Sequence, residues 1–316
     1  MFKEPIHILG AGSVGMLWAS VMRCSFPNYP VQLLLRAGDP RRNRTICLLQ
    51  NGRPRVVSVP CGSPSSDRRT IRNLIVTTKA YDAVAAVDSV KDRLDPDRSR
   101  LIVLCNGALA VADALRQTHH GKCAVYTATT THGVHRDMGN AADNEKEDVE
   151  SMYTIVNEGS GHCYLEFKPM IELWDAVGLD CRTTDDINML LWKKLAANCV
   201  INPLTAIHKC KNGELPTVLP SFQQTELPGI LSEVEQVCHA ETGKLPGDLL
   251  EFTSQVLKDT AENKSSMLVD VEHKKRTEIE YLNGYIAQLA KTHGIECRIN
   301  RQLLQAISDL SSNASC

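Results

Sequence analysis

Short apolar runs separated by helical patterns dominate the first part of the chain. Apolar and β-branched residues cluster in runs that predict buried strands at residues 6–9, 31–35, 74–78, 101–105 and 124–131. Helical patterns follow several of these runs. Strands that alternate with helices in this way favour a parallel, doubly wound α/β sheet.

Further extended segments surround this predicted sheet. We expect a short strand at residues 56–59, followed by a loop at residues 60–69 that is rich in Ser, Pro, Gly and Arg. Residues 153–156 and 163–167 are predicted to form the arms of a hairpin-like pair. The acidic, aperiodic stretch at residues 137–151 is interpreted as a mobile surface loop.

The pattern changes near residue 184, just after a last predicted strand at residues 179–183. From residue 185 onward the chain shows helical periodicity, interrupted at several proline and glycine residues. We therefore predict an N-terminal α/β domain over residues 1–184 and an all-α C-terminal domain over residues 185–316. A chain of 316 residues suits two domains of ordinary size.

One helix of the second domain carries an unusual polar stripe. Apolar residues recur at three- and four-residue spacing through residues 190–204, which predicts a largely buried helix. Lys194, Asn198 and Asn202 lie at i, i+4 and i+8 and therefore share one face. Three interpretations remain open: partners inside the protein satisfy these side chains, they face a polar ligand, or they lie on a solvated surface. Pro203 is expected to kink or end the helix directly after the stripe.

Composition and charge exclude several classes of protein. The net charge of −2 gives no reason to expect a nucleic-acid partner, and no apolar run approaches the roughly 18 residues of a membrane span. The first predicted strand begins so early that no signal peptide is expected. The twelve cysteines form no C-x-x-C pair and the histidines no metal-ligand spacing. We therefore predict reduced thiols, no metal site and a cytoplasmic protein.

A glycine-rich turn joins the first predicted strand to the first helix. The pattern G-x-G-x-x-G spans Gly10, Ala11, Gly12, Ser13, Val14 and Gly15. Gly10 is expected to permit the tight turn, Gly12 the close approach of a pyrophosphate, and Gly15 the packing of helix on strand. The phosphates would bind N–H groups at the helix N-terminus. This context predicts a Rossmann-type dinucleotide site; the alternative is a turn with a structural role only.

The choice of cofactor depends on the residue that follows the second strand. A site for NAD usually has an acid there, which holds the 2′-hydroxyl of the ribose. This chain has Arg36, and a cation suits the 2′-phosphate of NADP. We therefore predict NADP, used as NADPH. The alternative is that Arg36 is an ordinary loop residue and that Asp39 holds the ribose.

Polar residues follow three of the other predicted strands. Lys79, Asn106 and His132 each lie where a strand is expected to end. Ligands of doubly wound sheets bind beyond the carboxyl ends of the strands. A functional role is therefore predicted for Lys79 and Asn106, with loop capping as the alternative. His132 fits either role equally well.

Seven short motifs follow one another along the chain. The N-terminal ones are GAGSVG, TTKAYD, CNG and TTTHG; the C-terminal ones are WKKLAANCVINPLTAI, KNGEL and ENKSSMLVDVEHKKRTEIEYLNG. Together they resemble the ketopantoate reductase (2-dehydropantoate 2-reductase) family over nearly the whole chain. The resemblance implies that NADPH reduces the 2-oxo group of ketopantoate, on the pathway to pantothenate and coenzyme A.

The resemblance also implies roles for individual residues. Lys194 matches the general acid in preference to Lys193, because Lys194 is the one with Asn at +4 and +8. Substrate-binding positions match Asn198, Asn202, Asn212 and Ser266. Cofactor-binding positions match Gly10, Ala11, Gly12, Ser13, Val14, Gly15, Arg36, Lys79, Asn106, the backbone of Val134, and Glu278 as an acid that closes over cofactor and substrate. Glu280, in the same charge run as Glu278, is the solvated alternative.

Three functions fit these residues. The first is reduction of ketopantoate, with Lys194 protonating the oxygen as hydride reaches the carbon. The second is the same chemistry on another branched 2-oxo acid. The third is a non-catalytic NADPH-binding sensor, which would not need the stripe of Lys194, Asn198 and Asn202. Both enzyme functions imply a small 2-oxo acid as the partner, and a homodimer is compatible with each of the three.

Overall fold

Two compact units make up the chain, Met1–Ile187 and Asn188–Cys316. The computed structural model describes residues 4–36, 38–50, 52–64, 69–118, 123–137, 153–158, 161–176, 178–182, 184 and 186–313. The boundary predicted at residue 184 lies three residues before the division between the units. Among the described helices, none is both long and apolar enough to cross a membrane.

A mixed sheet of eleven strands forms the core of the first unit within the residues that the structure describes. Its strands are β1 (Ile6–Leu9), β2 (Val31–Leu34), β3 (Asn43–Gln50), β4 (Arg53–Gly62), β5 (Asn73–Val76), β6 (Arg100–Val103), β7 (Ala124–Thr130), β8 (Gly133–Asp137), β9 (Tyr153–Glu158), β10 (Cys163–Leu165) and β11 (Cys181–Arg182). Their order in the sheet is β11-β10-β7-β6-β5-β1-β2-β4-β3-β9-β8. The central run from β7 to β4 is parallel, which confirms the predicted α/β class and brings the carboxyl ends of these strands to one edge.

The helices of this unit pack on the sheet through apolar side chains. They are α1 (Ser13–Ser25), α2 (Ala80–Asp88), α3 (Ala108–Thr118) and α4 (Ile171–Ala176). Ile6 and Ile8 of β1 and Met16 of α1 are fully buried in one core. Trp18 of α1 and Trp174 of α4 belong to the same core, with ring centroids 3.8 Å apart. This packing fixes the position at which α1 begins, next to the glycine-rich turn.

The predicted hairpin at residues 153–167 is wrong. β9 pairs with β3 and β8, whereas β10 pairs with β7 and β11, so the two segments are not each other's partners. Both contain strand patterns of the right kind, but the partner of a strand depends on residues remote in sequence. Asp137 ends β8, and the remainder of the predicted acidic loop, residues 138–151, lies outside the described residues.

The sequence pattern also misses β3 and shortens β4. β4 covers the predicted strand at residues 56–59 and the first part of the predicted loop at residues 60–69. In β3 buried and exposed positions alternate, as expected for a strand with one covered face. One of the buried positions is Arg44 rather than an apolar residue, which hides the alternation from a hydrophobicity pattern.

Helices form the described part of the second unit, which confirms the predicted all-α class. They are α5 (Ile187–His208), α6 (Leu215–Val218), α7 (Leu227–Thr242), α8 (Leu249–Asp259), α9 (Ser266–Glu272), α10 (Asn283–His293) and α11 (Arg298–Asn313), with a π-helical turn at Phe222–Glu226 and 3₁₀ turns at Asn212–Glu214 and Ile279–Tyr281. The long helix predicted after residue 263 is short instead. Lys274 adopts a left-handed conformation with a φ of 52° just beyond α9, which is incompatible with its continuation.

Pro203 does not end α5, which continues for more than a turn beyond it. Proline has no N–H for the carbonyl four residues earlier, which is that of Cys199. The side-chain amide of Asn283, fully buried, donates to this carbonyl at 3.0 Å. It also lies 2.9 Å from Asn300 Oδ1, and Asn300 in turn donates to Glu233 at 2.8 Å. A buried polar network therefore replaces the missing helical hydrogen bond.

Replacing Asn283 with leucine should lower the free energy of unfolding by about 1–3 kcal/mol, because buried polar groups lose their partner. Urea unfolding measures the change. A Pro203→Ala background restores an N–H for Cys199 O, so the same substitution should cost less there. An equal cost in both backgrounds would show that Asn283 does not compensate for Pro203.

Candidate active site

The glycine-rich turn between β1 and α1 is tightly packed at Gly10 and Gly15 and open at Gly12. Gly10 has a φ of 110°, in the region that favours glycine. A Cβ at Gly15 would lie 2.0 Å from Gly10 O and 2.6 Å from Thr77 Oγ1, so only glycine lets α1 approach the turn this closely. A Cβ at Gly12 would meet no atom within 4 Å among the described residues.

The N-terminus of α1 has the chemistry of an anion site. Gly12 is the N-cap residue of α1 and has no side chain to accept hydrogen bonds from the first N–H groups of the helix. These N–H groups, together with the helix dipole, attract negative charge. Gly12 is exposed, so a pyrophosphate can reach them. The residues present therefore fit the diphosphate of a dinucleotide.

Two residues that the sequence does not single out contact this turn. Thr77 Oγ1 lies 2.9 Å from Gly10 O and 3.2 Å from Leu9 O. Arg44, which is buried, places a guanidinium nitrogen 3.5 Å from Ala11 O. The only sequence signal for Thr77 is its place in the TTKAYD motif. Arg44 stands in the run of arginines after β2, where nothing in the local pattern indicates its burial.

Arg36 follows β2 and has a side chain that is 91% exposed. Its guanidinium pairs with Asp82 at 2.9 Å, and an exposed ion pair of this kind contributes only about 0–1 kcal/mol, so a phosphate can displace it. Asp39, the alternative partner of the ribose, accepts a hydrogen bond from Arg41 at 2.8 Å and lies 3.5 Å from Arg44. The hydrogen bonds from Arg41 lower the pKa of Asp39 to about 2. This carboxylate is already engaged by cations.

The other candidate cofactor residues lie at two places in the sheet. Lys79 follows β5 as the N-cap residue of α2, and Asn106 lies between β6 and α3. β5 adjoins β1 and β6 adjoins β5, all in parallel, so both residues lie at the same edge as the glycine-rich turn. His132 follows β7. Val134 lies on β8, which is an edge strand and contacts α1.

In the second unit the polar stripe lies on α5. Lys194 and Asn198 are half-buried, and Asn202 is only 7% exposed, which excludes a solvated surface as the explanation for Asn202. Within the described part of the chain, the amides of Asn198 and Asn202 form no side-chain hydrogen bond. A buried amide without a partner costs about 1–3 kcal/mol, so this face suits a polar ligand.

Lys193, beside Lys194 in sequence, has different surroundings. A Cβ at Gly247 would lie 3.3 Å from Lys193 Nζ, so this ammonium lies against the turn before α8. Consecutive residues on a helix differ by about 100° in direction. The two lysines therefore belong to different faces of α5, and Lys194 is the one that shares a face with the two asparagines.

Asn212 adds a buried amide to those of Asn198 and Asn202. Its side chain is 6% exposed, and its Nδ2 donates to Thr260 Oγ1 at 2.9 Å. Its buried Oδ1 has no hydrogen-bond partner among the described residues. The backbone N–H of Asn212 donates to Asn263 O at 3.0 Å, which fixes Asn212 beside the segment that leads to α9.

The start of α9 is held against α5 by a pair of hydroxyl groups. Ser265 caps α9, accepting from the N–H of Leu268 at 3.1 Å, and lies 2.7 Å from Thr205 Oγ1 of α5. Thr205 is three residues after Asn202, so α9 begins close to the stripe. Ser266, the residue predicted to bind substrate, is exposed at the first position of α9.

The two acids near residue 280 differ in burial. Glu280 pairs with Arg276 at 2.7 Å, and both side chains are more than half exposed, so Glu280 is the solvated one. Glu278 is 4% exposed, just before the 3₁₀ turn. Among the described residues, no group of three or more His, Cys, Asp or Glu side chains could hold a metal ion.

A parallel sheet with a glycine-rich turn, followed by a helical unit with a Lys–Asn–Asn stripe, defines a Rossmann-type dinucleotide-binding protein with a helical C-terminal unit. Sequence models of the ketopantoate reductase PanE/ApbA family match this chain at both ends. The model of the family's first part matches residues 6–149, and that of its C-terminal part matches residues 186–311. The chain belongs to the ketopantoate reductase family.

Individual relatives agree with this assignment. A 2-dehydropantoate 2-reductase of Shigella flexneri is 31% identical over 96% of this chain and 93% of its own length. A solved structure of a PanE/ApbA family ketopantoate reductase from Ralstonia eutropha JMP134 has a TM-score of 0.81 at 22% identity, covering 99% of this chain and all of that one. The ternary structure of D-mandelate dehydrogenase with NADH and anilino(oxo)acetate has a TM-score of 0.79 at 19% identity, covering 99% of both chains. These two structures show that the fold is shared.

Proposed function

We propose that this protein uses NADPH to reduce the 2-oxo group of 2-dehydropantoate (ketopantoate), which gives pantoate. The observation that carries the proposal is the stripe on α5, where Lys194 shares a face with Asn198 and Asn202, whose amides have no hydrogen-bond partner among the described residues. Two relatives that match 96% and 98% of this chain are named 2-dehydropantoate 2-reductase. The ammonium of Lys194 and the neutral amides can donate hydrogen bonds to the oxygen atoms of a small 2-oxo acid.

The chain's own residues bind the cofactor and supply a proton. The N–H groups after Gly12 hold the pyrophosphate, and Arg36 holds the 2′-phosphate. Bound NADPH supplies hydride to the ketone carbon. Lys194 donates a hydrogen bond to the ketone oxygen as negative charge develops there, and then a proton. The remaining polar groups of the substrate, a carboxylate and a hydroxyl, bind Asn198, Asn202, Asn212 and Ser266.

These amides favour ligand binding because they are buried. Asn202 and Asn212 are less than a tenth exposed, and at least one polar atom of each has no protein partner within the described residues. A site with buried, unpaired polar groups binds a ligand that satisfies them and rejects one that does not. A non-catalytic sensor of NADPH would gain nothing from this arrangement, which favours the enzyme.

The proposal is tested by mixing purified protein with ketopantoate and NADPH. We expect NADPH and ketopantoate to be consumed in equal amounts, with pantoate identified by mass spectrometry. NADPH that binds while neither compound is consumed would support the sensor. Consumption of another 2-oxo acid but not of ketopantoate would support the second enzyme function.

Replacing Arg36 with alanine should raise the KM for NADPH by about 10–100-fold, since a charge-assisted hydrogen bond contributes about 1.5–3 kcal/mol. The KM for NADH should change little, because NADH has no 2′-phosphate. Arg42, an exposed arginine in the same loop, provides the matched control when it is replaced by alanine. Equal effects of Arg36→Ala on the KM values of both cofactors would show that residues other than Arg36 bind the 2′-phosphate.

A further inference from the structure

Two cysteines face each other at the β11 edge of the sheet. Cys163 of β10 and Cys181 of β11 occupy paired positions on adjacent parallel strands. Neighbouring strands lie about 4.8 Å apart, which is within the Cα separation of about 4.4–6.8 Å that a disulfide spans. Both are free thiols. Cross-linking them requires little movement of the backbone.

A histidine and a threonine complete the surroundings of Cys163. Its Sγ lies 3.5 Å from His132 Nδ1 and 3.4 Å from Thr130 Oγ1. Thr130 Oγ1 also hydrogen-bonds His132 Nδ1 at 2.8 Å, which orients the ring. A Cβ at Gly161 would lie 2.5 Å from the ring and backbone of His132, so glycine is required for the chain to pass this closely.

This environment favours the thiolate. The side chain of Cys181, together with His132 and Thr130, lowers the pKa of Cys163 although burial opposes the charge, and the same interaction raises the pKa of Cys181. Thiolates are the reactive form of cysteine. A second pair of neighbouring cysteines behaves differently: burial raises the pKa of Cys199, and burial raises that of Cys297 to about 12. Reactivity therefore belongs to the pair beside His132.

We propose that Cys163 and Cys181 form a reversible dithiol–disulfide site that reacts with low-molecular-weight disulfides. Cys163 is fully buried and Cys181 is partly exposed, so the reagent meets Cys181 first. His132, whose role the sequence leaves undecided, acts in this site as the base. The site does not rest on the proposed function, because none of its residues takes part in the reduction.

The exchange proceeds in two balanced steps. The thiolate of Cys163 accepts the proton of Cys181 as Cys181 attacks one sulfur of the reagent, whose S–S bond breaks and releases a first thiolate. His132 Nδ1 then takes the proton from Cys163, which attacks the sulfur of Cys181. The mixed disulfide breaks, and the second small thiolate leaves with the proton from His132. The two cysteines lose two electrons, and the reagent gains them.

Incubating the folded protein with oxidised glutathione tests this site. After acid quenching, alkylation of the remaining thiols and digestion, mass spectrometry should find Cys163 linked to Cys181, and reduced glutathione should reverse the link. Cys199 and Cys297 are the matched pair and should stay alkylatable. Equal oxidation of both pairs, or persistent free thiols at Cys163 and Cys181, would overturn the proposal.

Two variants separate the steps. In Cys163→Ser, glutathione should attach to Cys181 more slowly, because the acceptor of the Cys181 proton is gone, and should then remain attached, because the resolving thiol is gone. In His132→Asn, the Cys163–Cys181 link should form at least about tenfold more slowly, since the thiolate of Cys163 loses its neighbouring base. An unchanged rate in His132→Asn would show that His132 is not the base for Cys163 and would contradict the proposed activation of this pair.

Discussion

Replacing Lys194 with alanine should lower kcat for ketopantoate reduction by about 10²–10⁴-fold, because proton donation to the developing oxyanion occurs mainly in the transition state. NADPH binding should survive, since the residues proposed to hold its phosphates lie in the first unit. Steady-state kinetics give kcat, and isothermal titration gives the Kd for NADPH. The ionisation of Lys194 should also disappear from the pH–rate profile.

Lys193 offers a control one residue away. It is half-buried like Lys194, but its ammonium lies against the turn that contains Gly247. Lys193→Ala should therefore change kcat little. If Lys193 were essential and Lys194 dispensable, the assignment of the polar face of α5 would be wrong. An unchanged kcat in both variants would contradict the proposed mechanism, in which Lys194 donates the proton.

Gly12→Ala should weaken NADPH binding by about 10–100-fold while leaving the thermal stability of the protein unchanged. A Cβ at this position meets no described atom within 4 Å, so the free protein accommodates it. The same methyl group stands where the pyrophosphate must approach the N–H groups of α1, and weakening one or two charge-assisted hydrogen bonds costs about 1.5–3 kcal/mol. Calorimetric titration and a thermal melt measure the two effects.

Gly15→Ala is the counterpart, since its Cβ would lie 2.0 Å from Gly10 O. The helix or the turn must shift to accept it, so we expect a loss of stability of about 1–3 kcal/mol together with weaker binding. A Gly12→Ala protein that is destabilised as much as Gly15→Ala, or that binds NADPH normally, would contradict the role given to Gly12.

The sequence predicts the centre of the sheet well because each central strand is a continuous apolar run. β3 escapes prediction because it buries Arg44 among apolar residues. The sequence does not predict the partners of β9 and β10, because the register and partner of a strand depend on distant segments. The continuation of α5 past Pro203 depends on Asn283, which lies 84 residues from Cys199 in sequence.

Only some residues of the candidate site can likewise be predicted from the local sequence pattern. Periodicity alone places Lys194, Asn198 and Asn202 on one face, whereas Asn212 and Ser266 are found only through the family resemblance. The structure adds that Ser265 is the helix cap and that Asn212 Oδ1 lacks a described partner. Burial and hydrogen bonding of this kind arise from packing between segments, which a local pattern does not encode.

The measurement that tests the central claim most directly is kcat/KM with NADPH for ketopantoate against a panel of other 2-oxo acids. The panel should include benzoylformate, the 2-oxo acid that corresponds to mandelate, because a D-mandelate dehydrogenase shares this fold. We predict the highest kcat/KM for ketopantoate. A higher value for any other acid, or no turnover of ketopantoate by protein that binds NADPH, would contradict the proposed function.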